Sequence, residues 1–477
     1  MNFILLISFL PPILIGFFIV TLLFQESVIQ NIILKAFLGL GTGFGLTSSL
    51  YFFWSLISNP SRREYFILEG FLLLCLFVLV IRDQKKRDHS RLIIEKKSLG
   101  QKILIFILAA CFLGAFIIAI NTFYYLTLNE PHGLYDAWAI WDYRARFIFK
   151  GGVHWLDAFS PLLFHPDYPL LIPLTISRSW LFIGNEVQKV PVVLAFLFTF
   201  STIGLLGSSL ASARKLSQGL LAAFVLTATT TFVFNGSILA ADVPQSFFIL
   251  SAIYLIYLSI SNQIFKPGIL ILAGINVGYS GWVKNEGLMF LAICMVTTVL
   301  YYLATYKKTP KSFLIIFLAG IAIPLITILF FKTTLSPQND LINPQNLQTI
   351  IDKFLDPSRY VIIFDLLKVY FADFGGWNFP LLLILMIYAI FAFVYLPVKN
   401  ISGAMVTSLL VILQFIGYMA IYIITPFNLE VHIHQSIVRL IIHIYPAFLF
   451  VLFLLLRSPE EIFSKAFFIK SKDMIVD

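Results

Sequence analysis

The segment Leu134-Tyr-Asp-Ala-Trp-Ala-Ile-Trp-Asp-Tyr-Arg-Ala-Arg146, followed by His165-Pro-Asp-Tyr-Pro169, gathers carboxylates, cations and aromatic rings just past a long apolar run. Charged groups at the edge of hydrocarbon are costly, so their concentration there points to binding or chemistry at a membrane surface. Asp136 follows a span and precedes two tryptophans, a setting in which a partly desolvated carboxylate can act as general base toward a hydroxyl. The alternative is a plain N-cap for a helix over 137–149. Asp142 and Arg146 are four residues apart on that helix, the spacing of an ordinary ion pair. Tyr135, Trp138, Trp141 and Tyr143 read either as an interfacial aromatic belt or as faces for stacking a sugar.

Further candidates lie beside later span ends. Ala241-Asp242-Val-Pro244 has the pattern of a helix start. Trp282-Val-Lys-Asn-Glu-Gly287 joins two spans with almost no loop, confining Lys284 and Glu286 to headgroup depth, where Lys284 meets a phosphate as a point charge or snorkels to water. His432-Ile-His434 offers two alternating imidazoles from a strand-like segment, but no third metal ligand accompanies them. Arg439, at the edge of the last span, suits a phosphate oxygen.

The elements that must carry these residues are membrane spans. The 477-residue chain is 59% hydrophobic and 12% charged, with a mean hydropathy of +0.92, which excludes an ordinary soluble domain. The expected class is an all-α polytopic membrane protein. About thirteen windows are long enough to cross, near 3–24, 31–56, 66–81, 103–128, 190–210, 218–234, 245–260, 268–283, 287–305, 312–331, 379–396, 403–425 and 438–456. The first is read as a retained span, since it lacks a basic leader and exceeds a signal peptide's apolar core. Cys75, Cys111 and Cys294 lie in apolar runs without ligand spacing and read as inert thiols. The net charge of +9 is spread over short loops, which the positive-inside rule explains without nucleic acid.

The basic block Arg82 to Lys97 belongs inside, so the fourth span delivers Asp136 outside. Arg214-Lys215, Lys266, Lys307-Lys308, Lys311, Lys399 and the tail then fall inside, provided 168–184 does not cross. That stretch holds Pro173 and Arg178 and reads as a re-entrant or surface-lying helix. Arg62-Arg63 disagrees by falling outside. The organisation is a three-span extension with its basic loop (1–102), a membrane catalytic region (103–456) with large outer loops 129–189 and 332–378, and a cytoplasmic tail (457–477). In the second loop 345–355 and 360–371 read as amphipathic helices. The outer face then collects Asp136, Asp142, Arg144, Arg146, His165, Asp167, Asp242, Lys284, Glu286, Asp373, His432, His434 and Arg439.

Taken in order, Asp136, the His165-Pro-Asp-Tyr-Pro169-Leu turn, Asp242 and Lys284-Asn285-Glu286 resemble the pattern of the C-type (GT-C) integral-membrane glycosyltransferases. The likeness is to the bacterial branch grouped with the family 39 protein O-mannosyltransferases and aminoarabinose transferases, and covers about 103–456. It implies an inverting hexosyl transfer from a polyprenyl-phosphate carrier to a lipid, glycan or protein hydroxyl on the external face of a bacterial plasma membrane. Asp136 would be the base and Asp242 a second catalytic-site acid. Lys284 and Arg439 would hold the donor phosphate, while Glu286, His165, Trp138, Trp141 and His434 would contact substrate. The His-Pro-Asp-Tyr-Pro turn and the three extra spans depart from the family's pattern and leave the acceptor open. No nucleotide-binding motif is present, no cofactor is implied, and a divalent metal is compatible with the sequence but not required by it.

Two rivals remain. A surface-glycan polymerase or ligase shares the outer loop and basic residues. A lipid or glycan transporter would favour ionisable residues at mid-span and paired broken helices in two related halves, and the sequence displays neither.

Overall fold

The computed structural model describes residues 3–24, 30–84, 98–261, 266–305, 310–339, 347–392 and 401–462. Its elements, in chain order, are α1 (Phe3–Leu23), α2 (Gln30–Ile57), α3 (Tyr65–Gln84), α4 (Leu99–Asn129), α5 (Tyr143–Lys150), α6 (Leu171–Ile183), α7 (Lys189–Ala213), α8 (Leu216–Ala228), α9 (Thr230–Ser237), α10 (Asp242–Ser261), α11 (Pro267–Val283), α12 (Asn285–Thr305), α13 (Pro310–Thr334), α14 (Leu347–Leu355), α15 (Pro357–Asp373), α16 (Leu381–Ala392), α17 (Ile401–Ile424) and α18 (Leu429–Leu455). No strand occurs among the described residues.

Ten of these helices are long and apolar enough to cross a bilayer, as is α8–α9 taken as one span bent by 64°. Eleven of the thirteen expected windows correspond to these, the other two fall on the shorter helices α11 and α16, with 393–396 of the window 379–396 outside the described residues, and the chain is a multi-pass membrane protein. α11 and α16 are shorter, at 17 and 12 residues. The break at Thr229 divides this apolar stretch into two helices, a feature the apolar pattern of 218–234 conceals because both halves are hydrophobic.

Local signals set several boundaries. Ser98 and Gln101 form a reciprocal capping box on α4. Pro267 occupies the first turn of α11, and Asp356 caps α15 ahead of Pro357. α6 stops at Gly184, whose φ of 87° belongs to the left-handed region.

α10 is the central helix, enclosed by α7, α11, α17 and α18. α1 and α2 pack backbone to backbone, Gly16 against Gly39 and Gly43, the close approach that small residues permit in membranes. α4, by contrast, presents apolar side chains outward along its length, packing chiefly on α8 and α9.

α6 is buried along Leu171–Leu181 between α1, α2, α5 and α7. A surface-lying position is therefore corrected to an internal one. Its 13 residues rise about 20 Å, short of the roughly 30 Å hydrocarbon core, in keeping with a re-entrant element. Arg178 on α6 makes a bidentate pair with Glu69 of α3, both enclosed, and also donates to the Ser8 carbonyl of α1. Arg178 is thus the bolt between the first three helices and the loop that carries Asp136.

Contacts between distant loops sort the helix ends into two sides. Arg214 donates to the Leu456 carbonyl at 3.0 Å and to Glu461 at 3.1 Å, so the α7–α8 turn and the segment after α18 share one side. Ser61 donates to the Phe149 carbonyl and Arg63 abuts Gly184, joining the α2–α3 turn to the loop 129–189. Arg62-Arg63 therefore lies with the Asp136 loop, as the expected topology has it despite the charge rule. Most basic residues used for orientation, 85–97, Lys307, Lys308, Lys399, Lys465, Lys470 and Lys472, lie outside the described residues.

Both expected helices of the second loop are present as α14 and α15. α14 has no buried residue and alternates apolar with polar faces. It is tethered by Lys353, which donates to the Thr425 carbonyl at 2.9 Å, while Arg359 of α15 donates to the Ile423 and Tyr422 carbonyls at 2.7 and 3.1 Å. These cations occupy carbonyls left over at the end of α17.

Candidate active site

Asp136 is not a helix cap. Its backbone is already helical, and its side chain bonds no amide of the following turn. That turn, Ala137–Asp142, is π-helical, with the Tyr143 amide reaching the Trp138 carbonyl. The carboxylate instead meets Arg439 of α18, Oδ2 to Nη1 at 2.5 Å.

From Arg439 a chain of charges runs inward. Its Nε donates to Asp242 Oδ2 at 2.9 Å. Asp242 Oδ1 accepts from Lys284 Nζ at 2.8 Å and lies 2.7 Å from His443 Nε2. Lys284 also lies 3.3 Å from Glu286 Oε1, and His443 Nδ1 is 3.3 Å from the Tyr418 hydroxyl. Burial deepens along the chain: the side chains of Asp136 and Arg439 are 29% and 26% exposed, those of Lys284 and Asp242 2% and 0%. Five expected residues thus converge, Asp136, Asp242, Lys284, Glu286 and Arg439, from four separate elements.

The scaffold follows from the short motifs. α10 begins at Asp242, placing an anion at a helix N-terminus. α11 ends at Val283, and Lys284 in extended conformation turns directly into α12. Gly287 makes this turn possible, because a Cβ there would collide with the Ser280 carbonyl. Asp167 then clamps the turn: its Oδ2 accepts from Asn285 and Asn339, each at 2.8 Å, and from Lys332 at 3.3 Å. Lys332 also donates to Asn285 at 2.8 Å. Both outer loops are in this way fastened to the residues flanking Lys284.

The remaining candidates stand outside the charge chain. Trp141 is buried, not part of an interfacial belt, and stacks on Tyr168 with centroids 5.7 Å apart. His165, at φ 43°, stacks on the same ring, Tyr168, with centroids 4.8 Å apart. Arg144 donates to the carbonyls of Phe164, His165 and Tyr168, and burial lowers it to about 10. Trp138 is exposed and packs edge-on against Tyr135. His434 is exposed and bonds the Tyr370 hydroxyl at 2.6 Å, whereas His432 bonds Thr425. The two histidines are on a helix, not a strand, and a two-residue separation there points them to different faces. No group of His, Cys, Asp and Glu suited to a metal occurs among the described residues.

Asp142 and Arg146 do not form their expected pair. Arg146 bonds Glu186 at 2.6 Å, and Lys150 bonds the same carboxylate. Asp142 is buried, and burial raises its carboxyl to about 7, against the opposing effect of Arg146. A folded value above the unfolded one means stability is greatest below about pH 4 and declines as pH rises toward 7. Thermal unfolding from pH 5 to 8 should therefore show a loss that Asp142→Asn reduces. An equal slope in both proteins would show that Asp142 does not titrate in this window.

His443 escaped the sequence reading. It lies in the interior of α18, one turn past Arg439, in an apolar run without any motif. The i, i+4 spacing from Arg439 was the available signal. The same helix lines an apolar cleft of about 440 Å³ between α15, α16 and α17, with Phe371, Leu382, Val411, Phe415, Ile444 and Tyr445 on its walls. No family model, no curated protein and no solved structure matches this chain.

Proposed function

We propose that this protein is an inverting glycosyltransferase of the C type, moving a sugar from a polyprenyl-phosphate carrier to a hydroxyl acceptor at the external face of a bacterial plasma membrane. The observation that carries the reading is the partly exposed Asp136–Arg439 pair, a carboxylate and a guanidinium 2.5 Å apart at the open end of an otherwise enclosed charge chain. An acid that accepts a proton beside a cation that receives a phosphate is the minimum needed for this substitution.

In the reaction the acceptor oxygen attacks the anomeric carbon from the face opposite the phosphate, and its proton passes to the Asp136 carboxylate. The carbon–oxygen bond to phosphate breaks and its electron pair stays on the phosphate, leaving polyprenyl phosphate and a sugar of inverted configuration. Arg439 stabilises the charge that accumulates on the leaving oxygen. Asp242 is enclosed and acts on its neighbours: it anchors Arg439 and balances Lys284. Lys284, equally enclosed, contributes its positive field and not a direct contact. Glu286 faces the sugar, and the apolar cleft along α18 takes part of the isoprenoid chain.

Donor binding and turnover of variants at both cations test this reading. Arg439→Gln should weaken donor use and slow the chemical step, with Arg439→Lys restoring only part, since an ammonium lacks the two-pronged contact of a guanidinium. Lys284→Gln should slow turnover more than it weakens donor binding. Donor binding and turnover of Arg439→Gln within about twofold of wild type, too small for a lost charge-assisted contact, would place the phosphate elsewhere. Reporter fusions check the orientation: near Arg214 and Lys399 they should read cytoplasmic, and near Asp157 and Gln345 external. An external signal at Arg214 would put Asp136 on the cytoplasmic side.

A further inference from the structure

Arg439 has two edges with different fates. Its Nε is anchored to Asp242, which is wholly enclosed and held in turn by Lys284 and His443. Its outer Nη1 meets Asp136 at the partly exposed end. A guanidinium is a rigid planar fork, so the outer edge can change partner while the inner anchor fixes the group in place. A phosphodiester oxygen that takes this edge competes with the Asp136 carboxylate for the same donor, and the like charges of the two anions drive them apart. The carboxylate then turns from the guanidinium toward the partly exposed end of the charge chain, the side open to an acceptor hydroxyl.

We infer that Arg439 exchanges Asp136 for the phosphodiester of the donor, so that Asp136 is released to accept a proton only when a donor is bound. This rests on the polyprenyl-phosphate reading above and adds an order to it, donor before acceptor. Without donor the carboxylate is engaged, and an acceptor alone meets no free base.

Carbodiimide-driven amidation with methylamine, read by peptide mass spectrometry on the full chain in lipid nanodiscs, reports the state of Asp136. The probe is farnesyl phosphate, with farnesol as the uncharged control and the exposed Asp365 as internal reference. Farnesyl phosphate should raise Asp136 amidation by about tenfold, the equilibrium worth of one charge-assisted contact, while farnesol and Asp365 show no change. In Arg439→Gln, Asp136 should react fast from the outset and farnesyl phosphate should add nothing. Binding of the probe is measured separately by calorimetry. If farnesyl phosphate saturates the wild-type protein and Asp136 amidation stays level or falls, the exchange is overturned while the phosphate site stands. If it does not bind at all, the donor reading itself fails and takes the exchange with it.

Discussion

Asp136→Asn should leave the protein inserted and folded yet slow sugar transfer by at least about a hundredfold, the size expected when a general base is lost. The substitution keeps the shape of the side chain and an oxygen that can still accept from Arg439, so the ion pair weakens without opening a cavity. Asp136 lies at the partly exposed end of the charge chain, where losing a charge is tolerated because water helps to solvate the guanidinium. The decisive comparison is transfer rate at matched expression and matched unfolding midpoint. A rate near wild type would reduce Asp136 to a counter-ion and remove the base from the mechanism.

Asp242→Asn should have the opposite character, a large loss of stability. Asp242 is fully enclosed and receives Lys284, Arg439 and His443. With an amide in its place, Glu286 at 3.3 Å is the carboxylate left beside Lys284 among the described residues, and the amide nitrogen must face one of the two cations. Removing one partner of a buried ionic network costs about 3–5 kcal/mol, because the remaining charge is left in low dielectric. Denaturant or thermal unfolding in detergent should register that loss, and Lys284→Met added to Asp242→Asn should recover part of it without recovering transfer. An unchanged unfolding midpoint for Asp242→Asn would mean that the inner chain is hydrated and that Arg439 is not anchored as described.

Much of the site was legible because membrane sequences expose their costs. An acid opening a span at Asp242, an abrupt turn between spans at Lys284 and a cation at Arg439 all stand out against apolar surroundings, and each falls at a helix end or on a helix. Local rules failed where a partner from another element competed. Asp136 carries a cap residue's signature and Asp142–Arg146 an ion pair's spacing, yet Arg439 captures the first and Glu186 the arginine of the second. His434 carried the chemistry of a ligand and bonds Tyr370, whereas His443 carried no signal beyond its spacing from Arg439 and is central.

The sequence by itself determined that this is a multi-pass helical membrane protein, where its spans begin, and that its acids and cations concentrate near one set of span ends. Those properties follow from hydrophobic length and turn chemistry, which are local along the chain. Only the tertiary structure decided which acid meets which cation. Asp242 joins Arg439 and His443 across 197 and 201 residues of chain, and Arg178 joins Glu69 across 109. Such pairings arise because a charge enclosed among apolar helices must find an opposite charge wherever the packing brings one. Helix packing is a property of whole surfaces, which no local window contains.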